Sequence, residues 1–273
     1  MPELPEVEVL RRSLAPRLHG RRIERVELHQ RGLREPFAAR RLHALAGARV
    51  ATLRRRGKYL LIDLDGERTL VVHLGMSGRL TLVAADEPRE VHEHLALHLD
   101  RDERLRLRDP RRFGLVFVAP TAHLAADPHF SHLGGEPLDP GFSGELLADA
   151  ARGRRGPVKN FLMDARIVVG VGNIYASEAL FRAGIRPDRS VGRLGAARWQ
   201  RLAVAVVAVL RQAIEQGGTT LNDFTDGAGR SGEFQVALDV YGRDGEPCRH
   251  CGARIRRAVQ AGRSTFFCPR CQR

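Results

Sequence analysis

Four cysteines, Cys248, Cys251, Cys268 and Cys271, lie in the last 26 residues with the spacing Cys-x2-Cys-x16-Cys-x2-Cys. No other feature constrains the fold of this chain as tightly. Each pair needs a tight turn, and the segment between them must double back for the four sulfurs to meet. This is metal spacing and not a disulfide framework. Four thiolates close a tetrahedral shell and leave no position for water, so the ion is expected to be a single structural Zn2+. Between the pairs lies Arg263-Ser-Thr-Phe-Phe267, expected on a β-hairpin. A hairpin this short cannot bury a core, so the metal would fix it and hold Arg263 in place.

The chain has 273 residues, enough for two domains with their own cores. A net charge of +13 and a pI of about 11.0 point to a polyanionic partner. Aromatic residues make up only 5%, which argues against a broad base-stacking surface for single strands. Of 45 basic residues only Lys58 and Lys159 are lysine. An ammonium can lose a proton and acts as a point charge, which guanidinium does not do readily, so both lysines are candidate functional groups. The N-terminus is acidic, unlike a signal peptide, and the longest apolar run, Leu202 to Leu210, is too short to span a bilayer. A cytosolic protein is expected.

Val7, Leu10, Leu14 and Leu18 recur at helical spacing, with Pro16 expected to kink or end the helix and Gly20 to stop it. From about Arg22 to Val118 the period changes to two, as in Leu60/Ile62/Leu64 and Leu95/Leu97/Leu99. Short strands with Gly and Asp turns predict a β-sandwich or barrel in residues 1–132. Residues 133–150 read as a linker. Residues 151–235 read as helical, with helices over Val158–Val168, Asn173–Arg182 and Ala196–Gln216, and residues 236–273 hold the metal site. Val169-Gly-Val-Gly172 forms a tight turn, with Asn173 as N-cap of the next helix. Two glycines and a helix N-terminus suit the approach of a phosphate. The fold class is α+β.

The first eight residues, Met-Pro-Glu-Leu-Pro-Glu-Val-Glu, gather chemistry at one chain end. Removal of Met1 would free the secondary amine of Pro2. An α-amino group titrates near ~8, so a useful fraction is unprotonated at neutral pH and can form a Schiff base. Glu3 adjoins it, and Glu6 and Glu8 fall in the first turn of the helix, where the dipole favours anions. Two glycine-flanked loops, His73-Leu-Gly-Met-Ser-Gly78 and Asp109-Pro-Arg-Arg-Phe-Gly114, present Met76, Arg111 and Phe113. Such side chains could wedge into a duplex and contact an orphaned base.

These blocks resemble, in order and spacing, the formamidopyrimidine-DNA glycosylases. The resemblance covers nearly the whole chain and includes the helix–two-turn–helix stretch from Leu162 to Phe181 and the zinc hairpin. It implies an N-terminal β-sandwich flanked by helices, then a helical domain with a β-hairpin zinc finger. It implies a monomeric base-excision-repair enzyme that removes oxidised purines from duplex DNA. Pro2 would attack the sugar's anomeric carbon, with Glu3 as general acid and base, Glu6 in support, and β- and δ-elimination to follow. Lys58 and Arg263 would serve catalysis and hold phosphate. His73, Met76, His92, Arg111, Phe113, Arg154, Lys159, Asn173 and Tyr241 would contact DNA. The segment Thr219–Gly232 would close over the extruded base. The enzyme would work in the cytoplasm at the nucleoid, with no membrane partner. The related endonuclease VIII group, directed at oxidised pyrimidines, is the nearest alternative; Leu4 and the Met76/Arg111/Phe113 set favour the purine-directed group. A non-catalytic zinc-containing DNA-binding module is the alternative from another class.

Overall fold

A computed structural model describes residues 2–218 and 238–273. Met1 and the segment Thr219–Gly232 lie outside the described residues. The chain divides into two compact units, one holding the described residues 2–131 and 216–218 and the other holding His132–Glu215 and the described residues 238–273. In chain order the first unit contains α1 (Leu4–Leu18), β1 (Ile23–Leu28), α2 (Ala39–His43), β2 (Val50–Arg56), β3 (Tyr59–Leu64), β4 (Arg68–His73), β5 (Arg79–Ala84), β6 (Glu93–Leu99), β7 (Glu103–Arg108) and β8 (Leu115–Pro120).

The strands form two antiparallel four-stranded sheets, ordered β1-β6-β7-β5 and β2-β3-β4-β8. Leucines at alternate positions of both sheets share one core with the apolar face of α1. Leu4, Val7, Leu10, Leu14 and Leu18 are at most 1% exposed. Each such side chain contributes roughly 1.5–3 kcal/mol by leaving water, so α1 is a firm anchor for the residues that precede it. Pro16 does not end this helix. It lies in the last turn, where His19 N–H bonds Ala15 O, and Gly20 with φ +74° then turns the chain. Alternation in β3 is weaker than expected, since Leu61 and Asp63 on its second face are also buried. Asp63 tolerates burial because Arg54 and the Thr69 hydroxyl donate to its carboxylate.

The second unit contains α3 (Gly144–Ala151), α4 (Val158–Leu162), α5 (Asn173–Arg182), α6 (Ala196–Glu215), β9 (Arg256–Gln260) and β10 (Arg263–Phe267). Three expectations need correction. The stretch 133–150 is not all linker, because Ser143 caps α3 by accepting Leu146 N–H and Leu147 is fully buried. The helix from Val158 ends at Leu162 rather than Val168, because Asp164 accepts the Arg166 backbone and side-chain N–H groups in a turn of its own. Gly172, not Asn173, is the N-cap of α5, which frees the Asn173 side chain for other bonds. β9 and β10 pair through the two-residue turn Ala261-Gly262, both with positive φ, as a tight hairpin turn requires. Among the described residues, no helix is long and apolar enough to cross a membrane.

Candidate active site and nucleic-acid interface

Pro2 is buried immediately before α1, and Glu3 and Glu6 are each 2% exposed. Glu3 is the N-cap, and the Glu6 carboxylate accepts its backbone N–H at 2.8 Å in a capping box. Glu6 therefore fixes the backbone that carries both Glu3 and the preceding amine. A Cβ added at Gly218 would approach Glu6 Oε1 to 3.3 Å, so a small residue there lets the chain pack against this carboxylate. Glu8 does other work. Burial alone would raise its pKa, but hydrogen bonds from Arg11 and Arg12 and the charge of Arg55 bring it below the usual carboxylate range. With Arg55 on β2, this cluster ties α1 to the sheet.

Lys58 sits at the β2–β3 hairpin turn beside Gly57, which has φ +55°. Its charge is felt at His73, the last residue of β4. Burial, Arg34 and Lys58 hold His73 down to a pKa of about 3. The Gly75 N–H donates to His73 Nδ1 at 3.1 Å, so the neutral ring carries its proton on Nε2. Any phosphate contact by His73 is thus a neutral hydrogen bond and not an ion pair.

Met76 and Phe113 are 36% and 44% exposed. The Arg111 guanidinium lies 4.9 Å from the centroid of the Phe113 ring. The two tips are adjacent, since a Cβ on Gly75 would fall 2.4 Å from the Phe113 backbone. One apolar, one aromatic and one cationic group therefore project together. His92 is exposed in a turn with φ +69°, next to the β6 strand.

In the second unit Lys159 departs from expectation. It is 1% exposed, and its ammonium donates to Asn173 Oδ1 (2.5 Å), Thr265 Oγ1 (2.6 Å) and Ser264 O (3.2 Å). A lysine so enclosed is a tie and not a surface contact for DNA. Asn173 Nδ2 donates to the same Ser264 carbonyl at 2.9 Å. Lys159 and Asn173 together pin β10 to the start of α5, one residue from the exposed Arg263. Arg154 is exposed at a cavity of about 250 Å³ that Asn160, Phe161 and Asp164 also line. Tyr241 packs edge-on against Phe266, with ring centroids 5.0 Å apart. Its backbone N–H, with those of Asp239 and Val240, donates to the buried Glu178 of α5. Burial raises the Glu178 pKa against these three bonds. Sequence reasoning missed Glu178; a lone acidic residue on an apolar helix face was the available signal.

The four cysteine sulfurs lie within 4.8 Å of one another, with Cys248–Cys271 at 3.9 Å and Cys251–Cys268 at 3.5 Å. A tetrahedral Zn–thiolate centre with ~2.3 Å bonds needs sulfurs roughly 3.8 Å apart, so the set fits one structural Zn2+. Cys248, Ile255, Phe266 and Cys268 form a small cluster with Phe181 of α5, and Gln272 closes it by bonding Cys268 N–H and Ile185 O.

Profiles of three families match this chain: the formamidopyrimidine-DNA glycosylase N-terminal domain over residues 1–116, the formamidopyrimidine-DNA glycosylase H2TH domain over 133–225, and the zinc finger found in FPG and IleRS over 245–273. The formamidopyrimidine-DNA glycosylase of Halorhodospira halophila is 53% identical, and that of Ruegeria pomeroyi 47%, each aligned over 100% of both chains. The crystal structure of the Thermus thermophilus Fpg protein superposes with a TM-score of 0.89 at 39% identity, covering 99% of this chain and 98% of that one. Lactococcus lactis Fpg bound to abasic-site DNA superposes at 0.92 and 33% identity, covering 99% of each. The chain belongs to the formamidopyrimidine-DNA glycosylase family.

Proposed function

We infer that Pro2 is the nucleophile of a base-excision-repair DNA glycosylase with AP lyase activity. The family supplies the activity. What supports the assignment within this chain is the amino end itself: a buried Pro2 next to a buried Glu3 whose backbone Glu6 fixes. With Met1 removed, the Pro2 amine attacks the anomeric carbon of the damaged nucleotide. Glu3 moves protons between the sugar, the departing base and the amine. The base departs, and the sugar ring opens as its C–O bond breaks and the ring oxygen takes up a proton. The resulting iminium ion makes the adjacent C–H acidic, so two eliminations release the phosphates on either side. The target atom is unreachable inside a stacked duplex, so the nucleotide must first be extruded. Met76, Arg111 and Phe113 fill the space it leaves. Lys58, His73 and His92 from one unit, and Arg154, Asn173, Tyr241 and Arg263 from the other, meet the phosphates. Lys159 serves by holding Asn173 and the Arg263 hairpin. The net charge of +13 favours duplex capture, and a cytoplasmic location at the nucleoid follows from the substrate.

Oxidised purines are the preferred substrates in this reading. A solved structure of Lactococcus lactis Fpg holds DNA with an oxidised pyrimidine, so the preference needs its own test. Untagged protein is mixed with duplexes carrying 8-oxoguanine opposite cytosine, or an oxidised pyrimidine, and reduced with borohydride. A covalent band on the 8-oxoguanine duplex that Pro2→Gly abolishes supports the reading. A band on the pyrimidine duplex alone moves the substrate class and keeps the chemistry. Tight binding without any band, on protein lacking Met1, refutes the nucleophile.

A further inference from the structure

The loops that carry Met76 and Arg111–Phe113 converge on one buried carboxylate. Asp109 is 0% exposed. Its Oδ1 accepts the Ser77 hydroxyl at 2.6 Å, and its Oδ2 accepts Gly114 N–H at 2.8 Å. Ser77 Oγ in turn accepts Arg111 N–H at 3.2 Å. The Asp109 main chain is bonded as well. Its N–H donates to His92 O at 3.0 Å, and its carbonyl accepts His94 Nε2 at 2.9 Å, which fixes that proton on the His94 ring. One residue thus touches both tip loops and the His92 turn.

The fit around these bonds is close. A Cβ on Gly75 would stand 2.4 Å from the Phe113 carbonyl carbon, and one on Gly114 would stand 3.0 Å from Asp109 Oδ2. Backbone lies on backbone, so neither loop can shift without the other. Exposed loop tips are ordinarily mobile, and a mobile wedge would have to be ordered at the moment of insertion. Here the ordering is done by folding.

We propose that Asp109 is the positioning residue of the wedge: its carboxylate joins the two loops into one rigid piece, so Met76, Arg111 and Phe113 enter the duplex together. This rests on the reading of those three side chains as the wedge. Asp109 itself is out of reach of DNA and acts through them.

The test is stopped-flow fluorescence of 2-aminopurine placed beside 8-oxoguanine, which reports unstacking, on wild type, Asp109→Asn, Ser77→Ala, Met76→Ala and the Asp109→Asn/Met76→Ala double variant. Asp109→Asn keeps the shape but turns an amide N–H2 toward a donor, so extrusion should slow about tenfold. Ser77→Ala removes both the hydroxyl bond to Asp109 Oδ1 and the bridge to Arg111 N–H, while Asp109 keeps its bond to Gly114 N–H, and should slow extrusion about threefold. In the Met76→Ala background Asp109→Asn should add little, because both act on one element. Wild-type extrusion rates in Asp109→Asn and Ser77→Ala, with Met76→Ala slow, overturn the proposal and leave the wedge standing. Full multiplicative effects in the double variant overturn it also, since Asp109 would then act elsewhere. Wild-type extrusion in Met76→Ala removes the wedge and the proposal with it. If Asp109→Asn does not fold, Ser77→Ala and its Met76→Ala double decide by the same criteria.

Discussion

At the amino end, Pro2 and Glu3 are held by a helix whose apolar face is sunk in the core of a β-sandwich. At the other end of the chain, Arg263 is held by a five-residue strand whose hairpin partner is exposed at four of its five residues, together with four sulfurs and one lysine. The first arrangement draws its rigidity from many weak apolar contacts and would survive the loss of any one. The second concentrates it in a few polar bonds and a metal ion. A nucleophile that must sit next to its proton carrier benefits from the first. A phosphate clamp that only needs to present charge can be built on the second. The two regions should therefore fail differently, and single changes should hurt the second one more.

The largest effect is expected from the metal. Removing Zn2+ with a chelator, or changing Cys268 to Ser, forfeits roughly 10 kcal/mol of binding free energy that folds the hairpin. Circular dichroism should show loss of β9 and β10 structure, and duplex affinity should fall by about tenfold or more as Arg263 is released. Borohydride trapping at saturating abasic DNA should persist at a reduced rate, because the amino end has its own core. Equal collapse of trapping would erase the contrast between the regions.

Next comes Lys159. Changing it to Met leaves Asn173 Oδ1 and Ser264 O with a lost donor inside the protein. A cost of about 2–3 kcal/mol is expected, read by chemical denaturation. In the proposed reading Lys159 ties together two elements that meet phosphate, so KM should rise more than kcat falls. A variant with unchanged stability and KM would mean that the lysine is not a tie.

At the amino end Glu6 is the matching test. Glu6→Ala should cost about 1 kcal/mol for the lost cap, while Glu6→Gln keeps an acceptor for Glu3 N–H and should cost less. Here kcat should carry the effect and KM should stay, the reverse of Lys159. The same split in both variants would break the comparison.

Much of this was legible in local pattern. Leucines at helical spacing marked α1, alternation marked β3 and β6, and cysteine spacing marked the metal site, because in each case the signal lies within a few residues. The bonds that set the site are of another kind. Lys159 reaches Thr265 across 106 positions, and nothing near it in sequence distinguishes a buried lysine from an exposed one. Asp109 and Ser77 meet across 32 positions, and Glu178 receives amides 61 to 63 residues away. Asn173 read as an N-cap because its local context suits one, and the competing partner Ser264 lies on a different element. α3 was hidden in a Gly- and Pro-rich stretch whose Ser143 cap was the only local clue.

A further effect is expected in pH. A histidine whose folded pKa is depressed is neutral in the fold and binds a proton on unfolding. Its contribution is complete above the ordinary value of 6.5 and is lost as pH falls toward about 3. Between pH 6.5 and about 5, above the carboxylate range, wild-type stability should decline, and His73→Gln should flatten that slope. An unchanged slope would mean that His73 does not titrate this way.

The most direct test of the central claim is peptide mapping of the borohydride-trapped complex by mass spectrometry. The chain offers three amines besides guanidinium groups: its processed N-terminus, Lys58 and Lys159. The account predicts a reduced sugar adduct on the N-terminal peptide alone, at Pro2, with Met1 absent. An adduct on the peptide carrying Lys58 or Lys159 would contradict it.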